Sequence, residues 1–157
     1  ATDYLNDYQA ERLTNWTYKI ASPGRDVIGI LGFSYKPGTP VTENSQGIAL
    51  ARKLSAVGFD VKLHDELAKY DPKDDSLPDL ESVSCIEQFL HKTDVIVLMT
   101  PSENYREAIK KSTNLNSSKT LIDPWRLFSD PTCLGTENYM PLGVGFLPNV
   151  ELEFAAE

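Results

Sequence analysis

The residues best suited to bind a ligand lie in polar segments that directly follow short apolar runs. Three such segments contain Lys36, Asp65, and the pair Trp125 and Arg126. A lysine attracts a phosphate as a mobile point charge, and an arginine can hold a phosphate or carboxylate through two parallel hydrogen bonds. These residue types indicate binding of a small anionic ligand. Each also has a structural alternative: a solvated Lys36, a capping Asp65, and a solvated or paired Arg126.

No set of residues typical of catalysis accompanies them. The sequence has no G-x-S-x-G motif, and His64 and His91 are not at the spacing of metal ligands. Cys85 falls inside a predicted amphipathic helix, as a small buried apolar residue, and Cys133 has no basic neighbour in sequence to make it a thiolate. The sequence therefore predicts no catalytic residue and no metal site in this chain.

The glycines of the first loop do not match a dinucleotide fingerprint. That fingerprint needs G-x-G-x-x-G in a tight turn that runs straight into a helix. Here only Gly29 and Gly32 are available, and about a dozen residues separate the first apolar run from the next helix. Asp65 stands where a ribose-binding acid would lie, but a cap or turn is the better interpretation. The run Thr100-Pro101-Ser102 is likewise best interpreted as a helix cap.

Apolar runs and helical periodicities alternate along the chain, which predicts an α/β fold with a doubly wound parallel sheet in one domain. The fold would be Rossmann-like without the dinucleotide fingerprint, with a leading helix. In such a sheet, ligands bind beyond the carboxyl ends of the strands. The predicted strands are 26–32, 59–64, 94–99, 120–123 and 138–146. The predicted helices are 4–20, a segment containing Leu50, Leu54 and Val57 and closed by Gly58, 83–91 and 105–111, with 69–80 as an exposed connection.

Composition restricts the class of protein. The 157 residues are 41% hydrophobic and 24% charged, which is typical of one globular domain. A net charge of −8 disfavours nucleic acid, and no apolar run has the length of about 20 residues that a membrane helix needs. Two cysteines and a polar N-terminus without a secretory leader indicate a reducing, cytoplasmic location. The start at Ala1 suggests a fragment.

An ordered set of short patterns resembles the UDP-glucose/GDP-mannose dehydrogenase family. The segment 30–39 followed by Ser45 is similar to the family's apolar strand, Gly-hydrophobic-small-aromatic-Lys-Pro loop and helix-opening Ser. Asp94 to Thr100 resembles its "AD-apolar-T" strand, and Leu121-Ile122-Asp123 resembles its "apolar-apolar-Asp" strand. Further matches are Leu54, Gly58, Val61 and Asp65 to "L…G…V…D", Tyr139 to Gly145 to the closing "Y…G-apolar-G", and Asn6-Asp7-Tyr8-Gln9 to the end of the central helix.

The resemblance implies that this chain is the C-terminal, nucleotide-sugar-binding domain of an NAD-dependent enzyme that oxidises the C6 hydroxyl of a UDP- or GDP-sugar. Residues 1–21 would be the tail of a central dimerisation helix and 22–157 the domain itself. The catalytic cysteine and the NAD fingerprint would lie in an N-terminal domain outside this chain, so the fragment alone would be inactive. The whole protein would form a homodimer. The leading helix would then expose Leu5, Tyr8, Leu13 and Trp16 in the isolated fragment.

The resemblance also implies site residues. Tyr35 and Lys36 would contact the nucleotide of the substrate, with Trp125 and Arg126 as further substrate-binding residues. Arg126 stands one position later than the arginine of the family's Asp-Gly-Arg.

A second departure lies before the predicted second helix, where Val41 and Glu43 replace the Asp and Arg of the family's D-x-R-x-S. In the family that arginine reaches NAD. Three roles are open for Glu43: a favourable acidic residue at the helix N-terminus, an ion-pair partner of a cation, or an acceptor of hydrogen bonds from the ribose hydroxyls of the cofactor. The helix N-terminus is the preferred interpretation.

Two alternatives belong to other classes of protein. One is a stand-alone binding or regulatory module that kept the fold without the chemistry. The other, a receiver-like signalling domain, fails because the third long apolar strand ends in Met99-Thr100 rather than in a phosphate-accepting aspartate.

Overall fold

In the computed structural model, the described residues are 2–36, 38–43, 45–71, 80–112, 118–134 and 138–141. The side chains of residues 2–9, Pro131 and Cys133 lie outside this description. The predicted exposure of Leu5 and Tyr8, most of the predicted connection 69–80 and the end of the predicted last strand therefore lie outside the described residues.

A sheet of parallel strands forms the centre of the structure and confirms the predicted fold class. Its strands, in chain order, are β1 (Val27–Leu31), β2 (Asp60–His64), β3 (Leu80–Ser82), β4 (Val95–Leu98), β5 (Thr120–Ile122) and β6 (Asn138–Met140). They lie in the order β3-β2-β1-β4-β5-β6, and every neighbouring pair is parallel. The chain therefore moves outward from β1 to β3 and returns to place β4 beside β1. This reversal leaves a crevice at the carboxyl ends of β1 and β4.

The helices pack against the two faces of the sheet. They are α1 (Thr2–Ile20), α2 (Gln46–Ala56), α3 (Ile86–Lys92) and α4 (Glu103–Lys111), with a 3-10 helix at Pro131–Leu134. The N-cap of α2 is Ser45, whose hydroxyl accepts a hydrogen bond from the backbone N–H of Ile48 at 3.1 Å. The resemblance to the family pattern also places Ser45 at the start of this helix.

Two apolar cores cover the two faces of the sheet, because successive side chains of a strand point to opposite faces. Ile28 and Ile30 of β1 belong to the core that includes α1 and α2. Leu31 of the same strand belongs to the core that includes Phe89 of α3 and Tyr105 of α4. All four residues of β4 are buried, as expected for a central parallel strand.

The leading helix is part of the first core, and the expectation that its apolar residues would be exposed is wrong for Leu13 and Trp16. Their exposed fractions are 3% and 5%. Both belong to the same cluster as Leu50 and Leu54 of α2. The expectation assumed that the apolar face of α1 needed a partner outside the chain, but α2 provides that partner.

The region after β2 also differs from the prediction. Leu80–Ser82 form strand β3 at the edge of the sheet, with Leu80 paired to Val61 and Ser82 to Leu63. Helix α3 consequently begins at Ile86 instead of residue 83. Lys62 of β2 and Glu81 of β3 form an ion pair at 2.7 Å, which lies across the two strands.

We expect Trp16→Ala to lower the free energy of unfolding by about 3–5 kcal/mol, since it removes a large buried side chain from a packed core. Urea unfolding followed by far-UV circular dichroism measures this value. Asn15→Ala is the matched control, because Asn15 is exposed on the same helix and its loss should change stability by less than about 0.5 kcal/mol. Equal effects of the two substitutions would contradict the packing of α1 against α2.

Candidate functional site

Four polar loops meet at the carboxyl edge of the sheet, which is where the sequence placed its candidate residues. They follow β1, β2, β4 and β5. Because β1 and β4 are neighbours at the reversal of strand order, their loops flank the crevice. A cleft of about 120 Å³ lies there, lined by Ser34, Thr39, Glu66, Thr100, Ser102 and Tyr105 among others.

Asp65 organises the loops after β1 and β2. Its Oδ2 accepts hydrogen bonds from the backbone N–H groups of Phe33 and Ser34 at 2.8 and 2.9 Å. Its Oδ1 accepts from the N–H groups of Leu67 and Ala68 at 2.9 and 2.8 Å. This carboxylate therefore caps a turn, as the sequence indicated, and also fastens the β1 loop to the end of β2. Since both oxygens hold two backbone donors, Asp65 is not available as the ribose-binding acid of a dinucleotide site.

The described loop after β1 does not fit a bound dinucleotide. Gly32 has φ of 95°, a left-handed conformation that favours glycine. A Cβ at this position would clash with Thr100, so the space next to Gly32 is filled by the chain's own β4 loop and not open to a pyrophosphate. Gly29 faces Phe89 and Thr93, where its missing Cβ permits α3 to pack against β1. Both glycines thus serve packing, and the described residues offer no NAD cradle.

Tyr35 and Lys36 stand on the outside of the β1 loop. The Tyr35 N–H donates to the carbonyl of Val41 at 2.6 Å, and the Ser34 hydroxyl donates to the carbonyl of Lys36 at 3.0 Å. These bonds fix the backbone and leave both side chains exposed. The Lys36 ammonium forms no hydrogen bond or ion pair with any described residue.

Asp123 organises the loop after β5 in the way that Asp65 organises the loop after β1. It is fully buried and accepts hydrogen bonds from the backbone N–H groups of Trp125 and Leu127, at 3.1 and 2.6 Å. The Tyr139 hydroxyl of β6 also donates to it at 2.6 Å. Burial, followed by the Asp123 carboxylate, raises the pKa of Tyr139. No local pattern marks Tyr139 as a site residue, since its partner is 16 positions away in sequence.

The β5 loop presents an indole and a guanidinium at the edge. The indole N–H of Trp125 donates to the carbonyl of Met99 at 3.1 Å, which lays the ring beside the end of β4, with about half of it exposed. Arg126 is exposed and has φ of 53°. A left-handed backbone is strained for arginine, and such strain often accompanies a functional position. The structure therefore brings Trp125 and Arg126 to the same sheet edge as Tyr35 and Lys36, with β4 between the two loops.

Glu43 is exposed in the turn that precedes the α2 cap. This position is close to the helix N-terminus, where an acidic side chain is favourable. Its role toward a cofactor stays a prediction.

Cys85 differs from the prediction. It occupies the N-cap position of α3 instead of the helix interior, is partly exposed, and its thiol donates to the Glu87 carboxylate at 3.2 Å.

His64 is buried between the rings of Phe89 and Tyr105, with Nδ1 2.8 Å from the carbonyl of Val83. Across the described ranges, no group of three or more His, Cys, Asp or Glu side chains could hold a metal ion.

Two residues of the cleft, Glu66 and Tyr105, are not predicted by any pattern in the sequence. The Glu66 carboxylate accepts hydrogen bonds from the Ser102 hydroxyl and, at 3.1 Å, from the Asn104 amide. The Glu66 N–H donates to the Tyr105 hydroxyl at 3.0 Å. Tyr105 appeared in the sequence only as the start of a predicted helix, and Glu66 as a neighbour of Asp65. No local pattern signals that the β2 loop crosses the end of β1 to reach α4.

Known proteins similar to this chain share its fold. The model of the UDP-binding domain of the UDP-glucose/GDP-mannose dehydrogenase family matches residues 29–130. No curated protein matches the chain. Among the described residues, no helix has the length and hydrophobicity to cross a membrane.

Solved structures show the same fold at low identity. A UDP-glucose dehydrogenase from Pyrobaculum islandicum has a TM-score of 0.67 at 19% identity, over 87% of this chain and 29% of that chain. GDP-mannose dehydrogenase from Pseudomonas aeruginosa, solved as a ternary complex, has a TM-score of 0.65 at 22% identity, over 88% of this chain and 31% of that chain. A dipicolinate synthase chain from Bacillus halodurans has a TM-score of 0.59 at 17% identity, over 99% of this chain and 56% of that chain. The chain thus spans less than a third of the two dehydrogenases.

Stability should fall at alkaline pH because of Tyr105. Burial, followed by the Asp65 and Glu66 carboxylates, raises the pKa of this phenol above its ordinary value. A raised folded-state pKa stabilises the fold below the unfolded pKa of about 10, and this contribution is lost as pH rises beyond it. Urea unfolding from about pH 9 to about pH 11 measures the decline, and Tyr105→Phe should remove up to about 1.4 kcal/mol of it per pH unit above about pH 10. Parallel pH profiles of the two proteins would count against this assignment.

Proposed function

The chain belongs to the UDP-glucose/GDP-mannose dehydrogenase family, in the region of its UDP-binding domain, and from this premise we propose that it is the substrate-binding domain of an NAD-dependent nucleotide-sugar 6-dehydrogenase. The reaction of the whole protein would be of the type that converts UDP-glucose to UDP-glucuronate. In that reaction this chain binds and orients the nucleotide-sugar. The oxidation depends on a part of the protein outside it.

The observation that carries the proposal is a pair of cationic side chains on two fixed loops at one edge of the sheet. Lys36 projects from a loop that Asp65 fastens, and Arg126 projects from a loop that Asp123 fastens. The chain has a net charge of −8, so two exposed cations at the ligand-binding edge are a local exception to its overall charge. Such an arrangement suits a small polyanion held at one place.

Each of the proposed binding residues would contact a different part of the ligand, according to its chemistry. Lys36 attracts the diphosphate as a point charge, and Arg126 holds a phosphate or sugar oxygen through its planar fork of donors. The half-exposed rings of Tyr35 and Trp125 offer flat apolar surfaces for the base or the sugar. Because Trp125 is tied to Met99 by its indole N–H, it offers that surface without further ordering on binding.

NAD and the other partners follow from the same proposal. The described residues do not fit a dinucleotide, so NAD would be bound mainly by an N-terminal domain outside this chain. When bound there, NAD would be the hydride acceptor. Homodimer formation in the whole protein and a cytoplasmic location belong to the proposal as well. In isolation the chain would bind nucleotide without oxidising it.

A stand-alone binding or regulatory module is the second candidate. The burial of Leu13 and Trp16 within the chain's own core favours it, since α1 does not need another domain to cover that part of its apolar face. One measurement, NAD reduction by the complete protein, distinguishes the two candidates. The complete protein that contains this chain should reduce NAD in the presence of UDP-glucose if it is a dehydrogenase, and should bind nucleotide without NADH formation if it is a module.

Calorimetric titration with UDP, UDP-glucose and GDP tests the binding site. We expect saturable UDP binding to this chain or to the complete protein, weakened by about 1.5–3 kcal/mol in Lys36→Ala, the usual effect of losing a hydrogen bond to a charged group. Lys110→Ala is the matched control, because it removes the same charge from an exposed position in the last turn of α4, away from this edge. Absence of binding of both UDP and GDP by the complete protein would overturn the proposal.

Replacing Arg126 should separate binding from stability. Arg126→Gly relieves the left-handed backbone strain whereas Arg126→Ala keeps it, so we expect the glycine variant to be more stable than the alanine variant by about 1 kcal/mol. Both remove the guanidinium and should weaken UDP binding to a similar extent. Thermal unfolding and titration of the two variants measure these effects, and undiminished UDP affinity in both would exclude Arg126 from the site.

A further inference from the structure

Three hydrogen bonds hold the buried Asp123 carboxylate, and one of them comes from a side chain on another strand. Its Oδ1 accepts from the N–H of Trp125 at 3.1 Å, and its Oδ2 accepts from the N–H of Leu127 at 2.6 Å. The third donor, to Oδ2, is the Tyr139 hydroxyl of β6 at 2.6 Å. Within the described ranges, no other side chain donates to Asp123. Burying a carboxylate is costly unless donors surround it, so this phenol helps to keep the charge inside the fold.

The two backbone bonds to this carboxylate lie on either side of Arg126. The N–H of Arg126 itself donates to the Asp123 carbonyl at 3.4 Å, which closes the turn. Arg126 has φ of 53°, a left-handed conformation that is strained for a residue with a Cβ. Such a conformation persists only where the surrounding contacts maintain it. The direction in which the guanidinium leaves the sheet therefore depends on Asp123.

The sheet fixes the position of the Tyr139 hydroxyl. Tyr139 pairs with Leu121 of β5, and the N–H of Asp123 donates to the carbonyl of Met140 at 2.8 Å. The Tyr139 ring also packs edge-on against the ring of Phe128, with 6.0 Å between the centroids and an angle of 87°. These contacts hold the phenol in place, so its hydroxyl can act as a fixed donor to the carboxylate.

Electrostatic interactions connect the same phenol to Arg126. Burial, followed by the hydrogen bond and the charge of Asp123, raises the pKa of Tyr139, so the hydroxyl keeps its proton and remains a donor at neutral pH. The Arg126 guanidinium lowers this pKa, which means that the cation lies within electrostatic range of the phenol. Strand β6, Asp123 and Arg126 thus form one continuous set of interactions.

We infer that Tyr139 is a positioning residue of the proposed binding site: its hydroxyl holds Asp123, and through Asp123 it keeps the Arg126 guanidinium directed at the ligand-facing edge. The inference rests on the proposed function, in which Arg126 binds the ligand. Tyr139 acts through the carboxylate and does not touch the ligand. Its hydroxyl should therefore matter for binding only while the guanidinium is present.

Amide hydrogen exchange of the ¹⁵N-labelled protein tests the hold on the loop. Tyr139→Phe removes the hydroxyl and keeps the ring. We expect the amides of Trp125 and Leu127 to exchange about tenfold faster in this variant, the effect of one lost hydrogen bond. The amides of Phe33 and Ser34, which the other aspartate holds, are the internal control and should not change. Unchanged exchange at Trp125 and Leu127, or the same acceleration at all four amides, would overturn the inference.

A double-mutant cycle on UDP binding tests the route through Arg126. In calorimetric titrations of the complete protein, Tyr139→Phe should weaken UDP binding about tenfold. In the Arg126→Ala background, the same substitution should change UDP affinity by less than about twofold. A loss of equal size in both backgrounds, or no loss in either, contradicts the positioning role.

Thr93→Val is the matched control for a general loss of stability. It removes a buried hydroxyl that donates to the carbonyl of Phe89 at 2.9 Å, at the amino edge of the sheet and so at the opposite end from the loop. Thermal unfolding should show a similar destabilisation for Thr93→Val and Tyr139→Phe, whereas UDP affinity should fall only in the second. An equal fall in both would assign the effect to stability and overturn the inference.

The outcome is separable from that of the proposed function. If exchange at Trp125 and Leu127 accelerates while the complete protein binds neither UDP nor GDP, the proposed function is wrong and the hold of Tyr139 on the loop is supported. If UDP binds and depends on Lys36 but not on Tyr139, the positioning role is wrong and the proposed function stands.

Discussion

The carboxylate of Asp65 receives four backbone N–H groups from two loops, and the geometry of the ligand-facing edge depends on these bonds. The β1 loop is long and contains no regular structure among its described residues between Leu31 and Gln46. Without an acceptor, the N–H groups of Phe33 and Ser34 would be buried and unpaired, which costs about 1–3 kcal/mol each. Asp65 removes that cost and thereby fixes the direction in which Tyr35 and Lys36 leave the sheet. In the proposed function, this carboxylate would support a site for an anion without lying in contact with the anion itself.

Asp123, after β5, repeats this arrangement three strands away from β2. It is buried beneath the β5 loop, bound to two backbone N–H groups and to the Tyr139 hydroxyl, so its charge faces donors and not solvent. The loop it holds places Arg126 in a left-handed backbone, and the bonds from Trp125 and Leu127 on either side maintain that conformation. The two aspartates have the same physical role at the two cationic loops. This explains how an acidic chain can keep cations exposed at one edge.

Much of the fold could be predicted from the sequence, because long apolar runs such as Val95–Leu98 are typical of buried parallel strands. Strand β3 was missed because it has three residues, two of them exposed, and its pairing with β2 is a tertiary contact. The burial of Trp16 was misjudged for a related reason: periodicity shows that a helix has an apolar face, but not which element covers it. For the candidate site, the sequence placed Lys36, Trp125 and Arg126 on loops that the structure brings to one edge of the sheet, and their contact with a ligand stays a prediction. Glu66 and Tyr105 could not be found, since they meet only when the β2 loop crosses the end of β1.

The distribution of charge along the edge restricts which ligands can bind there. Lys36 lies two residues from Ser34, so a cation and a cleft lined by carboxylates are joined by one short loop. A wholly cationic edge would bind any phosphate, and a wholly acidic one would repel nucleotides. With the two adjacent, a ligand that presents a phosphate to Lys36 gains most when the part of it next to the cleft is neutral. The proposed function, binding of a nucleotide-sugar, fits this distribution of charge.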